Sequence, residues 1–343
     1  MSSVRADIER LYMENNQLHA LILELTHRCP CRCKHCYVVH EPQKDGLSTE
    51  KVLDILDQAR EEGVFHLTFT GGEVMLRKDI FTILEKARDD GHRSTLLTSG
   101  LTLDEDQADR LAAIGIFSIE MSLLGATAAV NDDLMQVPGA LEKIKHAASL
   151  LRERGLPVVL KSTIMRPNAN ELSAMADLAR SLGCEFNASP SVVAQRNGGQ
   201  DPLELALDTQ ELANLDPALL NGGLIPGEDS GQGAVLTCKA GRTVAAISPE
   251  GDVYPCIMWP RSVGNIHDHR LKDIWHTNPD PFLLEIRGLK AENITACNEC
   301  DLLRYCKRCP GAAWQETQSF DGPAPTICAA AKGHALGVKN SRS

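Results

Sequence analysis

The chain has 343 residues, 43% of them hydrophobic and 24% charged, with a formal net charge of -11. That length allows about two domains and a sizeable core, and an acidic balance without a basic cluster argues against nucleic acid as a partner. No apolar run is long enough to span a membrane, residues 1–17 lack an export signal, and twelve cysteines then call for a reducing, cytoplasmic compartment in which metal or cluster ligation is favoured over disulfides.

Val4, Ile8, Leu11 and Tyr12 share one helical face, which predicts a short amphipathic helix within residues 1–17. A strand-like run, Ala20-Leu21-Ile22-Leu23-Glu24-Leu25, follows and leads into Cys29-Pro30-Cys31-Arg32-Cys33-Lys34-His35-Cys36-Tyr37. Cys29, Cys33 and Cys36 stand at the spacing C-x3-C-x2-C. Three thiolates on one short loop can hold three irons of a cubane iron–sulfur cluster. Full ligation takes four cysteines, so the fourth iron would be left open for another ligand. Structural zinc is the alternative for this spacing taken alone. Cys31 reads as a bystander.

Further strands are expected at Phe65–Thr70, Arg93–Thr98, Ile116–Ser122, Pro157–Ile164 and Glu185–Pro190. Amphipathic helices alternate with them. Ser48 caps the first and Gly63 stops it. Ile80, Ile83, Leu84 and Ala87 mark the second. Asp104 and Gln107 open the third as a capping box. Pro138 is placed in the first turn of the fourth, and the fifth covers about Asn170 to Leu182. Six β-α units predict a parallel sheet with right-handed crossovers. Periodicity alone leaves a partial barrel and a doubly wound open sheet both standing.

The strand ends carry the remaining candidates. Thr70-Gly71-Gly72-Glu73 ends the second strand. Its glycines permit positive φ and close backbone approach, and a carboxylate beside them can accept hydrogen bonds from an ammonium. Together with the cysteine loop, this motif resembles the radical S-adenosylmethionine (radical SAM) superfamily. The resemblance implies an α/β fold, a partial (β/α)6 TIM-type barrel, with its site at the C-terminal ends of the strands. It implies that Cys29, Cys33 and Cys36 hold a 4Fe–4S cluster whose open iron binds S-adenosylmethionine (SAM). The reduced cluster would cleave SAM to a 5′-deoxyadenosyl radical. Tyr37, Gly71, Gly72, Glu73, Ser99, Ser122 and Lys161 are the expected SAM contacts. The family's usual Ser-Leu-Asp-Gly at strand four is here Ser122-Leu123-Leu124-Gly125, so that Asp is absent. Lys161 either meets a carboxylate or merely snorkels to solvent. Arg166 is equally ambiguous. Cys184 reads as a small buried hydrophobe.

Residues 192–236 show little periodicity beyond Leu207–Leu220. Asn197-Gly198-Gly199, Asn221-Gly222-Gly223 and Gly231-Gln232-Gly233 read as turn material. Glu250-Gly251-Asp252, between two apolar runs, reads as a hairpin turn. Seven cysteines follow residue 237: Cys238, Cys256, Cys297, Cys300, Cys306, Cys309 and Cys328. They resemble the SPASM domain that extends many peptide-modifying radical SAM enzymes, although Cys306 and Cys309 stand at C-x2-C where relatives have C-x3-C. By that resemblance Cys297, Cys300, Cys306 and Cys328 hold one auxiliary 4Fe–4S cluster. Cys238, Cys256 and Cys309 hold a second, with an open iron or a non-cysteine ligand. Zinc is the alternative, but seven thiols exceed what one tetrahedral ion needs.

The expected organisation is an N-terminal helix (1–17), the barrel (18–191), a bridge (192–236), the SPASM domain (237–335) and a tail (336–343). The expected function is oxidative modification of a peptide or small protein, a thioether or carbon–carbon crosslink. The alternatives are a maturase of another kind (formylglycine-type, or for a haem or quinone precursor) and a non-enzymatic iron–sulfur electron-transfer or scaffold protein. A reducing partner such as flavodoxin or ferredoxin is expected. About 28 residues precede the cysteine loop, so a separate leader-peptide-binding protein, or recognition by the bridge, is expected as well.

Overall fold

The fold was established from a computed structural model, and it describes residues 4–38, 46–220, 238–290, 293–306 and 308–340. The chain opens with α1 (Val4–Glu14) and then alternates: β1 (Ala20–Glu24), α2 (Thr49–Glu61), β2 (His66–Thr70), α3 (Ile80–Asp89), β3 (Arg93–Thr98), α4 (Glu105–Ile114) and β4 (Ser118–Ser122). It continues with α5 (Ala128–Met135), α6 (Ala140–Glu153), β5 (Val158–Thr163), α7 (Leu172–Ser181) and β6 (Glu185–Ser189). Strands β1 to β6 pair in sequence order and all in parallel, as right-handed β-α crossovers require. This is the partial (β/α)6 barrel.

Local chemistry accounts for the boundaries. Ser48 accepts from the Lys51 amide at the start of α2. Asp104 and Gln107 form the expected capping box on α4, and Gly115 ends that helix in the left-handed region. Two expectations differ. Pro138 lies before α6, not in its first turn, because Gly139 takes the capping position at φ 76°. Helix α5 has no counterpart in the sequence reading; its eight residues carry little apolar periodicity. Helix α1 forms, but Ile8 and Leu11 remain 48% and 54% exposed, so its apolar stripe is only partly covered.

After β6 come α8 (Thr209–Ala213) and a hairpin-based region: β7 (Val244–Ile247), β8 (Asp252–Tyr254), β9 (Gly264–Asn265) and α9 (Pro281–Gly288). The Glu-Gly-Asp turn forms as read, with Gly251 at φ 85°. The hairpin does not stand apart. Strand β7 pairs in parallel with β1, and β8 and β9 follow antiparallel. Among the described residues one nine-stranded sheet therefore runs through front and back, in the order β6-β5-β4-β3-β2-β1-β7-β8-β9. The last elements are α10 (Thr295–Asn298), α11 (Pro310–Thr317) and α12 (Pro325–Asn340), with Gly333 and Gly337 of α12 lying against α8. The expected turns at 221–223 and 231–233 lie outside the described residues. Among the described residues no helix is long and apolar enough to cross a membrane.

Candidate active site

The cysteine loop leaves the C-terminal end of β1 and is pinned from two sides. On one side the turn after β2 grips it: Gly72 N–H donates to Thr26 C=O and Glu73 N–H to Arg28 C=O, both at 2.7 Å. On the other, Arg32 N–H donates to Met135 C=O and Lys34 N–H to Leu134 C=O at the end of α5, at 3.1 and 3.0 Å. Lys34 also pairs with Asp133 at 2.7 Å. The two motifs read separately in the sequence are thus one hydrogen-bonded unit.

The glycines serve this contact. Gly71 has φ 132°, and a Cβ there would lie 2.5 Å from Thr26 O. A Cβ on Gly72 would collide with Arg28 O and stand 2.8 Å from His27 O. Only glycine lets the turn come this close. Glu73 is fully buried, and its carboxylate already has four donors. Met75 N–H and the Thr98 hydroxyl reach one oxygen at 3.0 and 2.7 Å. Ser99 N–H reaches the other at 2.8 Å, with the Ser99 hydroxyl on the same oxygen. Glu73 therefore locks β3 to the turn, while Gly71 and Gly72 face the adjoining cavity.

That cavity, about 370 Å³, lies at the strand C-terminal ends. Cys29, Cys33, Cys36 and Tyr37 line it on one side and Thr70, Gly71 and Gly72 next to them. Ser99, Ser122 and Lys161 complete the far wall with Asn187 and Ser189. Every expected SAM contact except Glu73 thus borders one space. Lys161 meets a carboxylate there, that of Glu120, at 2.8 Å. Arg166 instead pairs with Glu211 at 2.9 Å. Ile257, beside Cys256, brings the back region into the same wall.

Cys29 and Cys36 are costly to ionise unless a metal takes them. A hydrogen bond with Cys31, and then burial, raise Cys29 far above the ordinary thiol range. Burial raises Cys36. Cys31, 2% exposed, is lowered by its bond with Cys29, but its bond with Cys33 and burial push it up to about 12. Iron supplies the opposing charge that favours thiolate. His35 borders the cavity, with Nδ1 buried and unpartnered; burial lowers its pKa to about 4 and keeps it neutral. The sequence reading passed over His35, because a lone histidine between two cysteines carries no spacing signal of its own.

All twelve cysteines are free. Those of the back fall into two electrostatic groups. Burial raises Cys238 and Cys256, and beyond burial each is raised further by Cys309. Burial raises Cys306, to about 11, and Cys328; both are pushed further by Cys297 and Cys300. Backbone N–H groups point at Cys29, Cys256 and Cys309, each at 3.4 Å. Among the described residues no three His, Cys, Asp or Glu side chains close around a single ion. The donor sets consist of sulfur alone, three thiols on the loop and three and four in the back, which is the ligand chemistry that iron–sulfur clusters take. Cys184 lies just before β6, and burial raises its thiol to about 11.

A family model described as the Radical SAM superfamily matches residues 23–179, and one described as an iron–sulfur cluster-binding domain, SPASM, matches residues 238–310. The chain is 31% identical over 278 residues to a PqqA peptide cyclase of Granulibacter bethesdensis, covering 76% of this chain and 74% of that one. It belongs to the radical SAM superfamily. A PqqA peptide cyclase of Xanthomonas campestris pv. campestris is likewise 31% identical, over 75% of this radical SAM chain and 73% of the other. Among solved structures, Streptococcus suis SuiB bound to its precursor peptide SuiA superposes with a TM-score of 0.73. Identity there is 19%, covering 94% of this chain and 80% of SuiB. The protein anSMEcpe with bound AdoMet and a Cp18Cys peptide superposes at 0.69, with 17% identity over 94% and 97% of the two chains. At such identities the likeness establishes the shared fold. As a radical SAM enzyme with a SPASM domain, the protein uses S-adenosylmethionine and 4Fe–4S iron–sulfur clusters.

Proposed function

We propose that this radical SAM enzyme oxidatively modifies a ribosomally made peptide, joining two of its side chains through a thioether or carbon–carbon bond. When bound, the reduced cluster and SAM supply a deoxyadenosyl radical that can take hydrogen from an unactivated carbon. Cys29, Cys33 and Cys36 are assigned to the SAM-binding cluster. Tyr37, Gly71, Gly72, Ser99, Ser122 and Lys161 shape the SAM site around them, and Glu73 acts through the turn it fixes. Lys161 offers a cation that can turn from Glu120 to a ligand carboxylate.

The observation that carries this reading is the common wall of front and back. Ile257 enters the cavity, one residue from Cys256 of the three-thiol group. Crosslinking removes two hydrogens from the peptide. One would leave as a hydrogen atom to the 5′-deoxyadenosyl radical, giving deoxyadenosine; the other would leave as a proton and an electron. An electron acceptor beside the cavity suits that last step. Cys238, Cys256 and Cys309 are assigned to one auxiliary cluster, and Cys297, Cys300, Cys306 and Cys328 to the other. The peptide substrate is supported by the relatives called PqqA peptide cyclases and by the fold shared with peptide-bound SuiB.

The electron that starts each cycle is assigned to a flavodoxin- or ferredoxin-type partner, and the reducing demand of the thiols supports the cytoplasm as the compartment. Peptide recognition is assigned to a separate leader-binding protein or to the bridge; tight capture of the peptide by the enzyme alone would favour the bridge. The test is an anaerobic incubation with reductant, SAM and the peptide encoded beside the gene. A mass loss of about two hydrogens per crosslink is expected. Deoxyadenosine without any change in the peptide would refute the crosslinking assignment and leave the SAM site intact.

A further inference from the structure

The six-stranded barrel has an open seam, because β1 and β6 do not pair. In the segment that follows β6, Arg196 reaches across that seam. Its N–H donates to Tyr37 C=O at 3.0 Å. Its guanidinium forms an ion pair with Glu24, the last residue of β1, at 2.7 Å. It also stands 5.6 Å from the ring centre of Tyr37 and 5.1 Å from that of Tyr254 on β8. Glu24 is 2% exposed, and its other oxygen accepts from the Tyr37 hydroxyl at 2.9 Å.

Four segments thus meet at one charge pair, with Glu24 buried and Arg196 20% exposed: the end of β1, the cysteine loop just after Cys36, the bridge, and the hairpin strand that leads to Cys256. Closed barrels join their edges by strand hydrogen bonds; here one loop hydrogen bond and a set of side chains do it instead. Removing one partner of a buried pair leaves the other charge uncompensated, which is strongly destabilising where the pair sits. Burial works to lower the pKa of Arg196, but Glu24 outweighs it and the net shift is upward.

We propose that Arg196 is a positioning residue: with Glu24 and Tyr254 it clasps the barrel seam beside the cavity and fixes where Tyr37, and through it Cys36, stands. Hydrogen–deuterium exchange on the cluster-loaded full chain tests this. In Arg196→Gln, exchange should rise at least about tenfold in residues 36–38, 189–197 and 252–256, with α3 and α4 unchanged. Arg196→Lys keeps the charge and should restore most of the protection. Glu24→Gln and Tyr254→Leu read the same clasp should Arg196→Gln not fold. The EPR signal that responds to SAM should change shape in Arg196→Gln and return in Arg196→Lys; a merely structural role would lower its intensity alone. A rise confined to residues 189–197, or spread evenly over the barrel, overturns the clasp. If no signal responds to SAM in the unaltered protein, the proposed SAM site fails, and the exchange pattern still decides the clasp.

Discussion

The front and back of this enzyme hold sulfur in different ways. In the front, the cysteine loop hangs from a strand whose neighbours are packed into one large core, with Leu21, Leu23, Leu67 and Phe69 buried beneath it. In the back, the buried residues of 289–335 form small clusters of their own, such as Leu289 with Ile294 and Tyr305 with Ala331 and Ala335, and the stretch reaches the main core through Trp314, Phe320 and Ala330. A hydrophobic core shapes the front site whether or not metal is present. Cys297, Cys300 and Cys306 sit on a four-residue helix and the loops after it, beside these small clusters, so their order depends more on what the thiols bind.

The largest expected effect follows from that contrast. Stripping iron with a chelator under reducing conditions should open residues 293–324 to protease while the barrel stays folded. Equal protection of both regions after iron loss would erase the contrast. Next is Gly72→Ala, whose new methyl meets the backbone of His27 and Arg28. We expect a loss of about 1–3 kcal/mol from forced backbone shifts, together with loss of SAM cleavage, checked by thermal melting and deoxyadenosine yield. A folded, active Gly72→Ala would show that the loop is held otherwise.

Glu73→Gln sharpens the same point from the β3 side. The amide cannot accept at both ends, so buried donors of Thr98 or Ser99 lose a partner. A loss of about 1–3 kcal/mol is expected in urea unfolding of the barrel, while the back cysteines keep their iron. The smallest effect is that of pH. Burial lowers the pKa of His19, His35, His66, His276 and His334. Their unfolded forms therefore bind protons first as pH falls. Stability present above pH 6.5 should decline below it, for His35 down to about 4. A melting temperature that rises from pH 7 to pH 5 would contradict this.

Much of the front was legible. Each of the six strands lies within its expected span, because period-2 runs bounded by glycines and caps are local signals. Ser48, Asp104 and Gln107 act where their chemistry predicts. What escaped reading is what distant segments do together. Nothing in Val244–Ile247 announces pairing with β1, and nothing near residue 196 announces Glu24. The glycines of Gly-Gly-Glu were read as room for a ligand; the nearest atoms are those of the cysteine loop itself. Helix α5 lacked periodicity, and His35 lacked a partner in sequence. The two groups of back thiols were suggested by resemblance; local pattern alone could not have divided seven cysteines.

The central claim is that Cys29, Cys33 and Cys36 hold a cluster with one iron left for SAM. The direct measurement is iron and sulfide content with deoxyadenosine formation, made anaerobically on the unaltered enzyme and on Cys29→Ala/Cys33→Ala/Cys36→Ala. The account predicts that the triple variant loses about four irons and all deoxyadenosine, while the back keeps its iron. Deoxyadenosine formed by the triple variant, or none formed by the unaltered enzyme under strong reductant, would contradict it.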